Sequence, residues 1–372
     1  MKSDLLKWFD AKRRDLPWRQ TRDPYAIWLS EVMLQQTQVD TVIPYWHRFL
    51  ETFPTLLALA EAPLEQVLSR WRGLGYYSRA RNLHRAAQEM VAHHGANLPR
   101  TAQELFELPG FGRYTAGAVA SIAFGEAAPL VDGNVARVFS RLFLVEGPPG
   151  DREREKRLWQ LAEQWVAGER PGDWNQALME LGALICRSDS PLCLLCPVQA
   201  HCGALAAGRV RELPPPKIRS PRKPLALAVA VWAQHGKLLL ARRGGTGLFG
   251  GLWELPSAEI DPRLVDAESL AEAVRTGLQR ACGVQIEVGE PLGVVERVLT
   301  HRDLKLHLYR VEGRGPARAS EPYLEMRWTD AGEAAELGMS TAMHHAWKAA
   351  TGHPHDRPVA NRSKRHLSSR LL

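Results

Sequence analysis

Leu108-Pro-Gly-Phe-Gly-Arg-Tyr-Thr-Ala116 decides how this chain is read. Helical patterns flank it, over 101–107 and 113–124. Gly110 and Gly112 permit a tight turn and a close backbone approach to a ligand. The helix that follows aims its free N–H groups and the positive end of its dipole the same way. The result is a socket for a phosphate that reads no bases, although such a turn also serves as a plain helix connection. Further on, Pro129-Leu-Val-Asp132-Gly-Asn134-Val places an acidic residue in a loop before another helix, where Asp is commonly an N-cap.

Outward from this hairpin, residues 1 to about 208 read as helical throughout. Asp23-Pro24 opens a helix expected to end near Pro44. Similar patterns recur over 63–71, 78–93, 135–145, 152–168 and 173–186. The segment 209–224, with three prolines at Pro214–Pro216 and more at Pro221 and Pro224, predicts a semi-rigid linker. It would reach about 50 Å if fully polyproline II, at ~3.1 Å per residue. Beyond it, Leu225–Ala233, Lys237–Ala241, Val284–Val288, Gly293–Leu299 and Leu304–Val311 look like strands, and Ala267–Cys282 and Thr341–Ala350 like helices. This part is α+β. Residues 351–372 carry Arg357, Arg362, Lys364, Arg365 and Arg370 among few apolar side chains and read as a disordered basic tail.

Four of the five cysteines, Cys186, Cys193, Cys196 and Cys202, are spaced C-x6-C-x2-C-x5-C. A chain of 372 residues buries a large core without disulfides, and no signal peptide is read at its start. Thiolates this close in sequence suit a metal centre, a tetrahedral zinc or a cubane iron–sulfur cluster. One C-x2-C knuckle with a lone cysteine on each side, at unequal distances, favours [4Fe–4S]. Cys282 stands apart and reads as a small core residue.

Composition narrows the class further. With 45% hydrophobic and 24% charged residues the chain is an ordinary globular protein. Its longest apolar run, Leu225–Ala233, is far too short to cross a bilayer, so no membrane partner is expected. The net charge of +7 hints at a polyanionic partner.

The hairpin, the Pro-containing loop with its Asp and the cysteine signature occur in that order, preceded by Ser30-Glu-Val-Met-Leu-Gln-Gln-Thr-Gln-Val39 and Gly73-Leu-Gly-Tyr-Tyr77. On these motifs the chain resembles the helix-hairpin-helix DNA glycosylases, and within them the adenine DNA glycosylases of the MutY family. The match is strong over residues 3–210 and looser over 225–350. It implies an all-α helix-hairpin-helix glycosylase domain over 1–208 with a [4Fe–4S] loop, joined by the 209–224 linker to an α+β Nudix-like domain over 225–350. It also implies a monomer acting in a bacterial-type cytoplasm, at the nucleoid, on double-stranded DNA with adenine opposite 8-oxoguanine or guanine.

Cutting the bond from adenine to deoxyribose needs a better leaving group and a stabilised sugar cation. Enzymes lower such barriers by ~8–23 kcal/mol, of which a general acid supplies ~10²–10⁴-fold in rate. Electrostatic stabilisation of the oxocarbenium must therefore carry much of the rest. That calls for two carboxyl groups in different protonation states. The resemblance makes Glu31 the acid, donating to adenine N7, and Asp132 the ionised partner at the sugar, as stabiliser or transient nucleophile. Read from the residues alone, Glu31 is one glutamate in an amphipathic helix and would be solvated. By the same matching Asn134 orients Asp132 and Tyr114 lines the sugar pocket. Relatives of the endonuclease III type carry a lysine at the position of Tyr114 for Schiff-base chemistry. A tyrosine forms no imine, so base removal without strand cleavage is expected.

The target base must leave the stack. The resemblance makes Gln36 and Tyr76 wedges, puts Gln35, Thr37 and Leu74 near the opposite base, and lines the adenine pocket with Arg14, Trp18 and Gln176. Tyr76 and Trp18 also have plain readings as packed aromatics. Gly110 and Gly112 are expected to hold the DNA backbone, and Cys186, Cys193, Cys196 and Cys202 the cluster.

Gly250-Gly-Leu-Trp-Glu-Leu-Pro256, followed by the helix ending at Gly283-Val284, looks like a Nudix domain. The glutamates of an active Nudix box are replaced by Gly277, Arg280 and Ala281. Hard cations need oxygen ligands, so metal-dependent hydrolysis is unsupported. The resemblance leaves this domain as a reader of 8-oxoguanine, through Leu299-Thr-His301, with Thr300 and His301 as the contacts. A surface histidine at a strand end is the plain alternative. Rival readings are a thymine-mismatch glycosylase, a bifunctional endonuclease III-type enzyme, and an iron–sulfur DNA-binding protein without catalysis.

Overall fold

The computed structural model describes residues 1–216, 221–264 and 267–352. All but the first two residues of the expected basic tail lie outside them. The chain divides into two compact units, Met1–Pro221 and the remainder from Arg222. No helix among the described residues is long and apolar enough to cross a membrane.

The first unit is helical: α1 (Lys2–Lys12), α2 (Pro24–Leu34), α3 (Val39–Thr52), α4 (Leu56–Glu61), α5 (Leu64–Arg70), α6 (Ser78–His93), α7 (Ala102–Phe106), α8 (Arg113–Phe124), α9 (Gly133–Leu142), α10 (Arg152–Val166), α11 (Pro171–Leu184) and α12 (Gly203–Ala206). Asp23 caps α2 through Tyr25 N–H, with Pro24 at the first position. The helix does not run on to Pro44 as expected. It stops at Leu34, where Gln35 turns to a non-helical ψ of 111° and Gln36 then takes a left-handed φ of +57°, and a new helix, α3, contains Pro44. Nor is α2 amphipathic. Tyr25 to Met33 are buried on every face, as suits a helix in the centre of a domain. One core of this unit gathers Leu5 and Phe9 of α1 with Val135, Val138 and Phe139 of α9, Leu158 of α10 and Trp174 of α11.

Part of the stretch expected to be linker is docked on this unit. Leu213 is buried, and its carbonyl accepts from Arg141 Nε at 2.8 Å. Arg209 pairs with Glu146 at 2.7 Å.

The second unit has β1 (Lys223–Val231), β2 (Ala233–Gln234), β3 (Lys237–Arg243), β4 (Trp253–Glu254), β5 (Ser257–Ile260), α13 (Ala267–Cys282), β6 (Ile286–Val298), β7 (Arg302–Gly313), β8 (Tyr323–Thr329), α14 (Ala331–Glu336) and α15 (Thr341–Ala350). One sheet runs β5-β1-β7-β6, with β1 and β7 parallel; in the other β3 pairs with β2, β4 and β8. Strand β1 is buried on both faces. Leu225, Leu227, Val229 and Val231 pack with Met343 and Trp347 of α15. Ala226, Ala228 and Ala230 pack with Val274, Leu278 and Cys282 of α13. Cys282 is fully buried, as expected of a core residue, and burial pushes its thiol up to about 12.

The two strands expected over 284–288 and 293–299 are one strand, β6, whose register to β7 shifts around Pro291. The Nudix box is not merely short of carboxylates. A Cβ on Gly277 would stand 2.7 Å from Cβ of Ala258 on β5, so α13 packs where a glutamate side chain would have to stand. Ala281 is buried beside Tyr323.

Candidate active site

The hairpin is the turn between α7 and α8. Gly110 has φ +79°, and a Cβ there would stand 2.6 Å from that of Asn82, so glycine is needed. Gly112 is the N-cap of α8, with no side chain capping the helix and open space where a Cβ would be. Its first N–H groups are available to an anion.

At the second position of α8, Tyr114 donates its hydroxyl to Glu31 Oε2 at 2.7 Å, and Met179 Sδ lies 3.4 Å from that hydroxyl. Glu31 is 5% exposed. Burial, opposed by the Tyr114 bond and reinforced by the charge of Asp132, raises its carboxyl to about 7. Asp132 caps α9: Oδ1 accepts from Val135 N–H at 2.7 Å and Oδ2 from Asn134 Nδ2 at 2.9 Å. Burial raises this carboxyl too, but the Val135 and Asn134 bonds and the Arg137 charge oppose it. Asp132 thus has two hydrogen-bond donors and a cation that favour its ionised form against burial. The structure thus brings Glu31, Tyr114, Asp132 and Asn134 together from three helices.

Arg14 is bound to a residue that sequence reasoning missed. Its backbone N–H, Nε and Nη2 donate to Glu180 at 2.8, 3.0 and 2.7 Å. Arg19, also missed, donates to both Glu180 oxygens at 3.2 and 3.1 Å and to Gln176 Oε1 at 3.2 Å. Burial would raise the Glu180 carboxyl; hydrogen bonds from Arg14 and Arg19 hold it down at about 2. Trp18 is buried edge-on to Trp46, 6.1 Å between ring centroids, in keeping with its plain reading. Gln35 Nε2 donates to Thr115 Oγ1 at 3.0 Å. Gln36 and Tyr76 are exposed, whereas Leu74 is buried. In the second unit Thr300 and His301 are exposed at the tip of the β6–β7 hairpin, closed by Leu299 N–H to Arg302 carbonyl at 2.8 Å.

The four clustered cysteines line one apolar cavity with Val138, Leu142 and Leu181. Burial raises the thiols of Cys196, to about 11, and of Cys202, and the other cysteines of the set add to this. Among the described residues no group of three or more His, Cys, Asp or Glu side chains is gathered to hold a metal ion. Four thiols around a shared cavity still fit a positively charged multi-atom group. Two arginines bind this region, and one of them, Arg137, also reaches the active site. Arg141 donates to Cys186 Sγ at 3.3 Å and to the Arg187 carbonyl at 2.7 Å. Arg137 donates to the Cys186 carbonyl at 2.7 Å and to Asn134 Oδ1 at 2.9 Å, and Asn134 in turn holds Asp132.

The model described as "HhH-GPD superfamily base excision DNA repair protein" matches residues 29–164, and that described as "NUDIX domain" matches 227–349. The adenine DNA glycosylase of Mus musculus is 38% identical, over 95% of this chain and 78% of its own. That of Homo sapiens is 39% identical, over 94% and 74%. Among solved structures, a thermostable thymine-DNA glycosylase aligns at a TM-score of 0.50 and 32% identity, over 55% of this chain and 95% of its own. The thymine enzyme matches little more than half of the chain, whereas the adenine enzymes match across both units. The chain belongs to the adenine DNA glycosylases, hydrolases of N-glycosyl bonds in base excision repair.

Proposed function

We propose that the protein releases adenine from A:8-oxoguanine and A:G mispairs in duplex DNA and leaves an intact abasic strand. The observation that carries this reading is the Tyr114 hydroxyl on Glu31, with Asp132 near enough for its charge to be felt there. Protonated near neutral pH, Glu31 delivers a proton to adenine N7. Asp132, held by Asn134 and Val135, stays ionised against the developing sugar cation. Tyr114, whose hydroxyl has no imine chemistry, aligns Glu31. Arg14 and Gln176 border the base, with Glu180 and Arg19 fixing Arg14. Gly110 and Gly112 offer backbone to a phosphate. Incubation with A:8-oxoguanine, A:G and T:G duplexes tests the reading. Release from the two adenine duplexes supports it; release of thymine instead contradicts it.

Cys186, Cys193, Cys196 and Cys202 would hold a [4Fe–4S] cluster, which when bound supplies a covalent tie that orders the 186–202 loop. Purified protein should contain iron and inorganic sulfide in roughly equal amounts, and Cys196→Ser should lose both with a fall in Tm. One zinc with no iron would overturn this assignment.

Thr300 and His301 supply exposed polar groups that can read the oxidised purine opposite the adenine. His301→Ala should lower the preference for 8-oxoguanine over guanine by ~2–13-fold, the net worth of one hydrogen bond. Unchanged discrimination in single-turnover assays would remove His301 from the contact.

A further inference from the structure

Gln36, at φ +57°, and Tyr76, at φ +48°, occupy the left-handed region on two loops of the helical unit. Both side chains are exposed. For residues of this size that conformation persists only where the surroundings over-determine it.

One side chain reaches both loops. Arg79, on the first turn of α6 and itself buried, donates through Nη1 to the carbonyls of Val32 at 2.9 Å and Met33 at 2.7 Å, ahead of the first loop. Through Nη2 it donates to Thr37 Oγ1 at 3.2 Å, directly after Gln36. The same nitrogen donates to the carbonyls of Leu74 at 3.1 Å and Gly75 at 3.2 Å, directly before Tyr76. Its guanidinium lies 5.3 Å from the Trp71 ring centroid and 5.6 Å from that of Tyr76. A planar fork spans two loops in this way; an ammonium, a point charge on a flexible stem, does not.

We propose that Arg79 is a positioning residue that locks Gln36 and Tyr76 into preset wedges, so that neither loop has to be ordered when the target base is driven out of the duplex. The proposal deepens the adenine-release reading and rests on it.

The test uses an A:8-oxoguanine duplex with 2-aminopurine beside the adenine, so that unstacking is read by fluorescence and excision by single-turnover kinetics. Arg79→Lys should keep duplex affinity within ~3-fold yet slow both unstacking and excision at least ~10-fold. In the Gln36→Ala/Tyr76→Ala background, already slow, adding Arg79→Lys should change the rate less than ~2-fold, because a residue acting through two others is not additive with them. Additive losses, or wild-type rates in Arg79→Lys, would overturn the proposal. Arg79→Gln repeats the comparison if the lysine variant does not fold, and failure of both to fold assigns Arg79 to the fold and overturns it as well. Should the wild type unstack the adenine but never release it, the adenine-release reading fails while the unstacking comparison still stands.

Discussion

Asp132→Asn should cut single-turnover adenine release by at least ~10³-fold, beyond the ~10²–10³ cost of losing one neutral oxyanion-hole donor, because a full charge is removed from beside the cation. The substitution separates charge from structure. Asp132 caps α9 by accepting from Val135 N–H, and an asparagine Oδ1 accepts the same bond with about equal preference at an N-cap. The helix therefore keeps its start, and affinity for the mispaired duplex should survive. The new amide meets that of Asn134, which now donates to Asp132 Oδ2, and one of the two must rotate. Loss of binding together with catalysis would show Asp132 to be structural.

Glu31→Gln should cost ~10²–10⁴-fold, the usual worth of a general acid. Glutamine matches the shape and still accepts from Tyr114, but has no proton to deliver. The pH dependence follows from the direction of the shift. Burial raises the Glu31 carboxyl to about 7, and its protonated form is the working one, so the wild-type rate should fall as pH rises above about 7. Asp132 must be ionised, and its pKa, raised by burial, sets the acidic limb of a bell. In Glu31→Gln the basic limb should vanish. Stability has the same sign. A carboxyl with a raised folded pKa gives its full contribution below the unfolded value and loses it as pH rises through the folded one. Glu31→Gln should therefore gain stability relative to the wild type between pH 5 and pH 8, read as a widening difference in Tm.

Much of this was legible from local pattern. Helices α6, α8, α13 and α15 fall where periodicity and stop signals put them, because each combines a continuous pattern with a clear start or stop. The break between α2 and α3 was not, since a glutamine in a left-handed conformation carries no sequence mark and Pro44 drew the boundary to itself. Strands β4 and β5 are too short to show alternation, and β8 carries a polar face through Glu325 and Arg327. The buried setting of Glu31 had a signal that amphipathic reading overlooked: in Pro24–Leu34 it is the one charged residue among apolar neighbours. Glu180 and Arg19 had none. Their hydrogen bonds join positions 161 apart, and such pairs exist only once α11 has packed beside the N-terminal segment. Arg79 escaped notice for the same reason, as its acceptors come from α2 and two loops.

The central claim is that two acidic side chains in one site carry different protonation states near neutral pH. Carbon-13 NMR titration of side-chain carboxyls, with Glu31→Gln and Asp132→Asn to assign the signals, measures this directly. A glutamate signal titrating near 7 and absent from Glu31→Gln, beside an Asp132 already ionised at that pH, is the predicted result. A Glu31 carboxyl titrating in the ordinary glutamate range, or an Asp132 that stays protonated above it, would contradict the account.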